Sequence, residues 1–202
     1  MQFRSLKYDI YRHFYPNDDI STLSLYGKIK IILTTQGIWA TAVYRFRRWT
    51  LYECRYSVLR KLLSPVGSIL QLLIEMTTGI LIEPRIDIGP GFYIGHFGNI
   101  FVGGDTTIGK FCNISQENTL GFAGRGEKWG VPTIGDFVYI GPGAKLIGKI
   151  VIGDHVAIGA NAVVTKDVPN NAVVVGIPGR IINYDSSKDF VLFNRDKCRE
   201  IL

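Results

Sequence analysis

Imidazole is the side chain best suited to move a proton near neutral pH, and this 202-residue chain has three of them. His96 stands in the run IGHFGN, at the third position of a six-residue unit. There it points away from the side that the preceding isoleucine faces, where it could serve as general base toward an attacking hydroxyl. His155, in IGDHVA, lies on a regular part of the same pattern and reads as a solvated or subunit-contact residue; His13 suggests no chemistry. Cys54, Cys112 and Cys198 are odd in number and unpatterned. They give neither a disulfide framework nor a zinc spacing, and read as reduced thiols of a cytoplasmic protein. No metal-ligand cluster appears. The run GRGEKWG follows no strand–helix–strand pattern, so it is not a dinucleotide-binding loop.

The elements that must position His96 are legible as a repeat. Ile134, Ile140, Leu146, Ile152, Ile158 and Val164 recur every sixth residue without a gap. Upstream, Ile82, Ile88, Ile94 and Ile100 hold one phase, and a two-residue insertion shifts it to Val102, Ile108, Ile114 and Leu120. Between Leu120 and Ile134 the count breaks, which predicts a loop. A period of six fits neither a helix face nor one long alternating strand. It predicts short strands separated by corners, three to a coil of eighteen residues, with the aliphatic positions inside. Twenty of the 23 glycines lie between Gly79 and Gly179, where the corners fall.

The chain thus divides into a helical region over 1–80, a repeat domain over 81–183, and a tail over 184–202 in which Ser186 or Ser187 could cap a short helix bearing Phe190 and Phe193. In GIWATAVYRFRRWTLY, the residues Trp39, Ala42, Val43, Phe46 and Trp49 form a stripe with Arg45, Arg47 and Arg48 mostly between them. A second apolar helix is expected from Ser57 to Met76, broken or kinked near Pro65. Residues 1–64 carry a net charge of +7 and the remainder −1. The basic half suits an anionic cofactor or lipid, while no basic run or RNA-binding motif favours nucleic acid. The aromatic and basic N-terminal helices are therefore candidates for peripheral membrane contact as well as for packing on the main domain. The segment 68–82 reads as too short to span a bilayer and carries Glu75, and the first ten residues lack the apolar core of a signal peptide.

The hexads, the segment IGPGFYIGHFGNIFVG, the preceding GIWATAVYRFRRW and the terminal NAVVTKDVPNNAVVVGIPGRII resemble the hexapeptide-repeat acyltransferases. The resemblance covers roughly residues 36–183. It is closest to the serine acetyltransferases and their relatives that O-acetylate bacterial surface sugars. It implies a mainly β fold, a left-handed parallel β-helix with an N-terminal α-helical region. It also implies acetyl-CoA as acyl donor, a homotrimer, and active sites in grooves between neighbouring β-helices. The family's general base falls on His96. Transfer from a thioester to an alcohol needs such a base, donors for the tetrahedral oxyanion and two substrates held in line.

The sequence departs from the serine acetyltransferase pattern at the acceptor. The family's acidic partner of the base falls on Leu81, and the aspartate directly before the base falls on Gly95. Glu83, Asp87, Asp105 and Glu117 are the candidate replacements. The family's Asp-Arg-His run before the loop proline reads Trp129, Gly130, Val131 before Pro132. An indole cannot pair a serine carboxylate but can pack on a sugar ring. The leading expectation is therefore an acetyl-CoA-dependent O-acetyltransferase acting on a saccharide or its precursor, with Trp129 against the acceptor. L-serine is the alternative acceptor, and a non-catalytic hexapeptide scaffold is the alternative of another class. By similarity, coenzyme A would meet Gly121, Ala123, Gly124 and Arg125 in the loop, then Ala144, Lys145, Ala160, Lys166 and Arg180. The expected location is the cytoplasm, with the inner face of the membrane as the candidate peripheral site.

Overall fold

All fourteen aliphatic residues of the six-residue register are buried, from Ile82 through Val164. The computed structural model describes residues 2–14, 23–193, 198, 199 and 201, with Lys128 described by its backbone alone. The repeat forms a left-handed β-helix with three flat faces. Strands are numbered along the chain. Face A stacks β1 (Ile80–Ile82), β4 (Ile100–Val102), β7 (Thr119–Gly121), β10 (Lys145–Ile147) and β13 (Val163–Val164). Face B stacks β2 (Asp87–Ile88), β5 (Thr107–Ile108), β8 (Thr133–Ile134) and β11 (Val151–Ile152). Face C stacks β3 (Tyr93–Ile94), β6 (Asn113–Ile114), β9 (Tyr139–Ile140), β12 (Ala157–Ile158) and β14 (Val173–Val175). All of these pair in parallel; β15 (Arg180–Asn183) folds back antiparallel on β14 and ends the stack.

Each hexad has a second inward position, two residues before the first. Ile86, Phe92, Val138, Ala144, Ile150, Val156 and Ala162 fill it, and so do Thr106, Cys112 and Asn118. The polar members are satisfied inside: Asn118 donates to the carbonyls of Gly141 and Ala144, and Thr106 to that of Gly103. Burying one Ile or Val contributes about 1.5–3 kcal/mol, so the column accounts for most of the driving force in this half of the chain.

Corners between faces B and C carry Phe111, Phe137 and His155 in the left-handed region, at φ 55°, 58° and 57°. Each such residue costs roughly 1–2 kcal/mol of backbone strain. Their rings form a ladder that offsets it. Phe111 and Phe137 stack at 5.5 Å, Phe137 and His155 at 4.7 Å, and Phe193 from the tail covers Phe111 at 4.3 Å. His155 is thus a stacking residue, not a merely solvated one. The expected tail helix is a turn over its described part. Ser187 is fully buried, donates to the Phe137 carbonyl, and accepts the Val191 N–H at its own.

Among the described residues, α1 (Gln2–Phe14), α3 (Gln36–Arg48) and α4 (Ser57–Thr78) close the open lower end, and α2 (Leu25–Thr34) packs on α1 and α3. A first coil has carbonyls with no coil beneath to use them, and α3 supplies the donors. Tyr44 donates to Ile86 O at 2.7 Å, Arg45 to Ile88 O and Gly89 O at 2.6 Å each, and Arg48 to Ile86 O at 2.6 Å. Arg45 is 1% exposed and pairs with the equally buried Asp9 at 2.8 Å. This inverts the expected orientation of α3. Its buried face is Gly37, Ile38, Ala40, Thr41, Tyr44 and Arg45, while the aromatic stripe Trp39, Phe46, Trp49 is only half-buried. The reason is the unpaired edge beneath the first coil: hydrogen-bond donors, not apolar bulk, are what that edge needs. The helix expected to break or kink near Pro65 continues through it as one element and ends at Gly79, whose φ of 66° stops the helix before β1.

Candidate active site

His96 and Phe97 are an insertion in the coil. Gly95 N–H bonds Ile114 O at 3.0 Å and Glu117 N–H bonds Gly98 O at 2.8 Å, so Gly95 matches Ser115 and Gly98 matches Gln116. The two residues between have no counterpart in the next coil. They bulge from the edge between faces C and A, and both side chains are exposed. His96 therefore reaches solvent because it is extra to the hexad, not because it holds the hexad's third position. Among the described residues no neighbouring coil's carbonyl accepts from the His96 or Phe97 N–H. The bulge thus offers an imidazole beside free backbone donors, the two kinds of group that an acyl transfer requires.

His13 is set apart by its environment. His13 stacks on Tyr93 at 4.5 Å, and burial, with Arg12 beside it, pushes its imidazole down to about 3. It stays neutral near neutral pH, and, buried and weakly basic, it is ill suited to take a proton from a substrate hydroxyl.

The candidate acids are unequally placed. Glu83 is held by Arg85 at 2.6 Å, Asp105 lies 3.8 Å from the same Arg85, and Asp87 pairs with Arg48 at 2.9 Å. All three lie at or beyond the edge between faces A and B. Glu117 alone shares His96's edge, one coil further on, through its backbone bond to Gly98. Among the described residues no carboxylate pairs with His96. Gly95 is not demanded by packing: a Cβ there would sit 3.4 Å from the Tyr93 ring and 3.8 Å from Ser115 Oγ, ordinary contacts.

The expected cofactor residues fall into two groups. Ala123, Gly124 and Lys166 line one groove of about 410 Å³ at the edge between faces A and B, with Lys149, Thr165, Ile147 and Asp167, whose Oδ1 accepts the Val151 N–H. Lys149 is a cation that the sequence reading did not single out; its value comes from the loop folding back over it. Ala123 and Gly130 form a small antiparallel bridge, with both N–H···O distances 3.1 Å, and a Cβ at Gly130 would lie 2.9 Å from Lys149 Cβ. Gly121 closes β7 at the same edge, and Arg125 is exposed at the loop tip. Trp129 is 58% exposed and stacks on Phe122 at 5.5 Å. Phe122 in turn lies over Gly104, where a Cβ would come within 2.4 Å of its ring.

The second group belongs to His96's edge. Ala160 is exposed in the corner between β12 and β13, Arg180 is exposed beside Val175 in the last coil, and Lys145 donates its Nζ to Glu117 O. Ala144 joins neither group. It holds the second inward position, is 0% exposed, and its carbonyl accepts from Thr119 N–H and Asn118 Nδ2. It offers nothing to a ligand. Within one chain the base and the lysine groove lie at opposite edges of face A, a span of roughly 20 Å for six extended residues. Among the described residues no group of three His, Cys, Asp or Glu side chains could hold a metal.

A left-handed coil of hexads with a histidine bulged at one edge and a cationic loop groove at the other defines a hexapeptide-repeat acyltransferase. The family model for bacterial transferase hexapeptide (six repeats) matches residues 132–166. The chain is 36% identical over 188 residues to a serine acetyltransferase of Bacillus subtilis strain 168, covering 93% of this chain and 81% of that protein. It is 38% identical over 154 residues to one of Synechococcus elongatus, covering 76% of this chain and 60% of that relative's length. Among solved structures, a serine acetyltransferase of Brucella abortus in complex with coenzyme A superposes with a TM-score of 0.74 at 28% identity, covering 90% of this chain and 68% of that one. The Neisseria gonorrhoeae serine acetyltransferase in complex with serine gives 0.71 at 26%, covering 90% and 69%. The chain belongs to the serine acetyltransferase family.

Proposed function

We propose that this protein transfers an acetyl group from acetyl-CoA to a hydroxyl, with His96 as general base, at a site completed between copies of a homotrimer. The observation that carries this reading is the split across face A. The base stands at one edge and the groove of Lys149 and Lys166 at the other, so a neighbouring copy is what can bring them together. Lys149 and Lys166 suit the phosphates of coenzyme A, and the exposed backbone of Ala123 and Gly124 leaves room for its pantetheine arm. His96 takes the proton of the attacking hydroxyl, the bulge N–H groups receive the developing oxyanion, and the thiolate of coenzyme A leaves. Three buried, unpaired thiols are in keeping with a reduced cytoplasmic setting.

Kinship makes L-serine the leading acceptor and reverses the order that the sequence alone suggested: the relatives are named serine acetyltransferases, and one solved neighbour holds serine. A saccharide hydroxyl is the second reading, favoured by the exposed Phe122–Trp129 stack, which offers a flat apolar surface. Thiol release from acetyl-CoA with purified protein is the test. L-serine is expected to drive release that saccharides do not. Release with saccharides alone transfers the assignment to the second reading. Saturable acetyl-CoA binding with no release in either arm replaces catalysis with a scaffold role.

A further inference from the structure

Helix α4 carries an apolar stripe that nothing among the described residues covers. Val58, Leu62, Val66, Ile69, Leu73 and Met76 recur at steps of three and four and are 47–74% exposed. The opposite face holds the helix to the body: Gly67 lies against Arg47 and Phe46, and Gln71 and Thr78 are buried. Among the described residues α4 is the one helix long and apolar enough to cross a membrane, yet it is packed on α3. No charged residue interrupts the stripe. Around it the charge is one-sided: residues 23–78 contain eight Lys and Arg and two Glu. Glu53 and Glu75 are both engaged, accepting from Gln2 and Gln71. Arg55, Arg60 and Lys61 are exposed where α4 begins, and α2 repeats the combination with Lys30 beside exposed Leu25, Ile29 and Leu33.

We infer that α4 lies on an anionic lipid bilayer, its stripe in the acyl boundary and the lysines and arginines at the headgroups. A face without charge or hydrogen-bonding side chains, flanked by unpaired cations, has the amphipathic form of an interfacial helix. Two neighbouring like-charged faces are less suited to each other than to a negative surface. Of the N-terminal helices for which membrane contact is expected from sequence, α3 is packed under the first coil, and α4 presents the apolar surface.

Co-sedimentation of the full chain with vesicles tests this. Vesicles of 30% phosphatidylglycerol in phosphatidylcholine are expected to pellet the wild-type protein, and pure phosphatidylcholine to pellet at least about tenfold less. The double substitution Ile69→Gln/Leu73→Gln is expected to lower binding to the anionic vesicles by about tenfold without changing circular dichroism or assembly size. Arg60→Gln/Lys61→Gln should weaken it and remove part of its salt dependence. Wild-type protein that ignores anionic vesicles overturns the proposal. If the Ile69→Gln/Leu73→Gln protein instead forms a smaller assembly, the stripe is covered by a second copy. Thiol release measured without vesicles reports separately on acetyl transfer.

Discussion

Replacing His96 by asparagine is expected to reduce acetyl transfer by roughly 10²–10⁴-fold, the usual worth of a positioned acid–base group. Asparagine keeps similar size and polarity but takes no proton near neutral pH. The substitution sits in an exposed two-residue bulge that no adjoining coil bonds, so folding should be untouched. Acetyl-CoA affinity should stay nearly constant, because the lysine groove lies at the far edge of face A. The limb of the pH–rate profile contributed by the imidazole should disappear. Steady-state kinetics and acetyl-CoA titration on the same preparation check all three. Full retention of activity with the true acceptor would move the base elsewhere, first to Glu117 on the same edge.

Arg45→Met should destabilise the fold by about 3–5 kcal/mol, the range for removing one partner of a buried ion pair. Arg45 binds Asp9 and donates to the carbonyls of Ile88 and Gly89. Without it, two carbonyls of the first coil lose their donors and Asp9 keeps only backbone N–H groups, those of Phe92 and Gly91. Burial already pushes the Asp9 carboxyl above its ordinary range against the pull of Arg45, so the variant's Asp9 should take up a proton. Urea unfolding at fixed protein concentration measures the loss. Adding Asp9→Asn to Arg45→Met should recover part of it, since the unpaired acid is then gone. A loss below about 1 kcal/mol would mean that water or rearrangement replaces the guanidinium.

The β-helix was legible because its aliphatic positions repeat every six residues with a single inserted pair and a single loop. The second inward column was not, because Thr106, Cys112 and Asn118 interrupt it with side chains that read as surface until their internal partners are seen. The resemblance puts Ala144 at the cofactor, but its place in that second column turns its side chain inside. Periodicity puts the phase change between Ile100 and Val102, but Ile100 pairs with Ile80 at the second inward position; the break is earlier, at the inserted His96 and Phe97, as the pairing of Gly95 and Gly98 with the next coil shows. Arg45 was misread because an arginine in an amphipathic pattern signals solvent, whereas the open end of a parallel coil requires donors. Lys149 was passed over because its position in a regular hexad carries no sign that the loop at Gly130 folds onto it.

The central claim is that base and cofactor groove meet between copies. Two variants each disable one half: His96→Asn at one edge, and Lys149→Glu/Lys166→Glu at the other. Each alone should release little thiol from acetyl-CoA. Co-expressed in equal amounts and purified together, they should assemble some interfaces that join an intact His96 to an intact groove. For a cyclic trimer with random mixing, the account predicts recovery of about one quarter of wild-type activity. If the mixed assemblies show only the average of the two separate variants, each chain carries its own complete site and the account is contradicted.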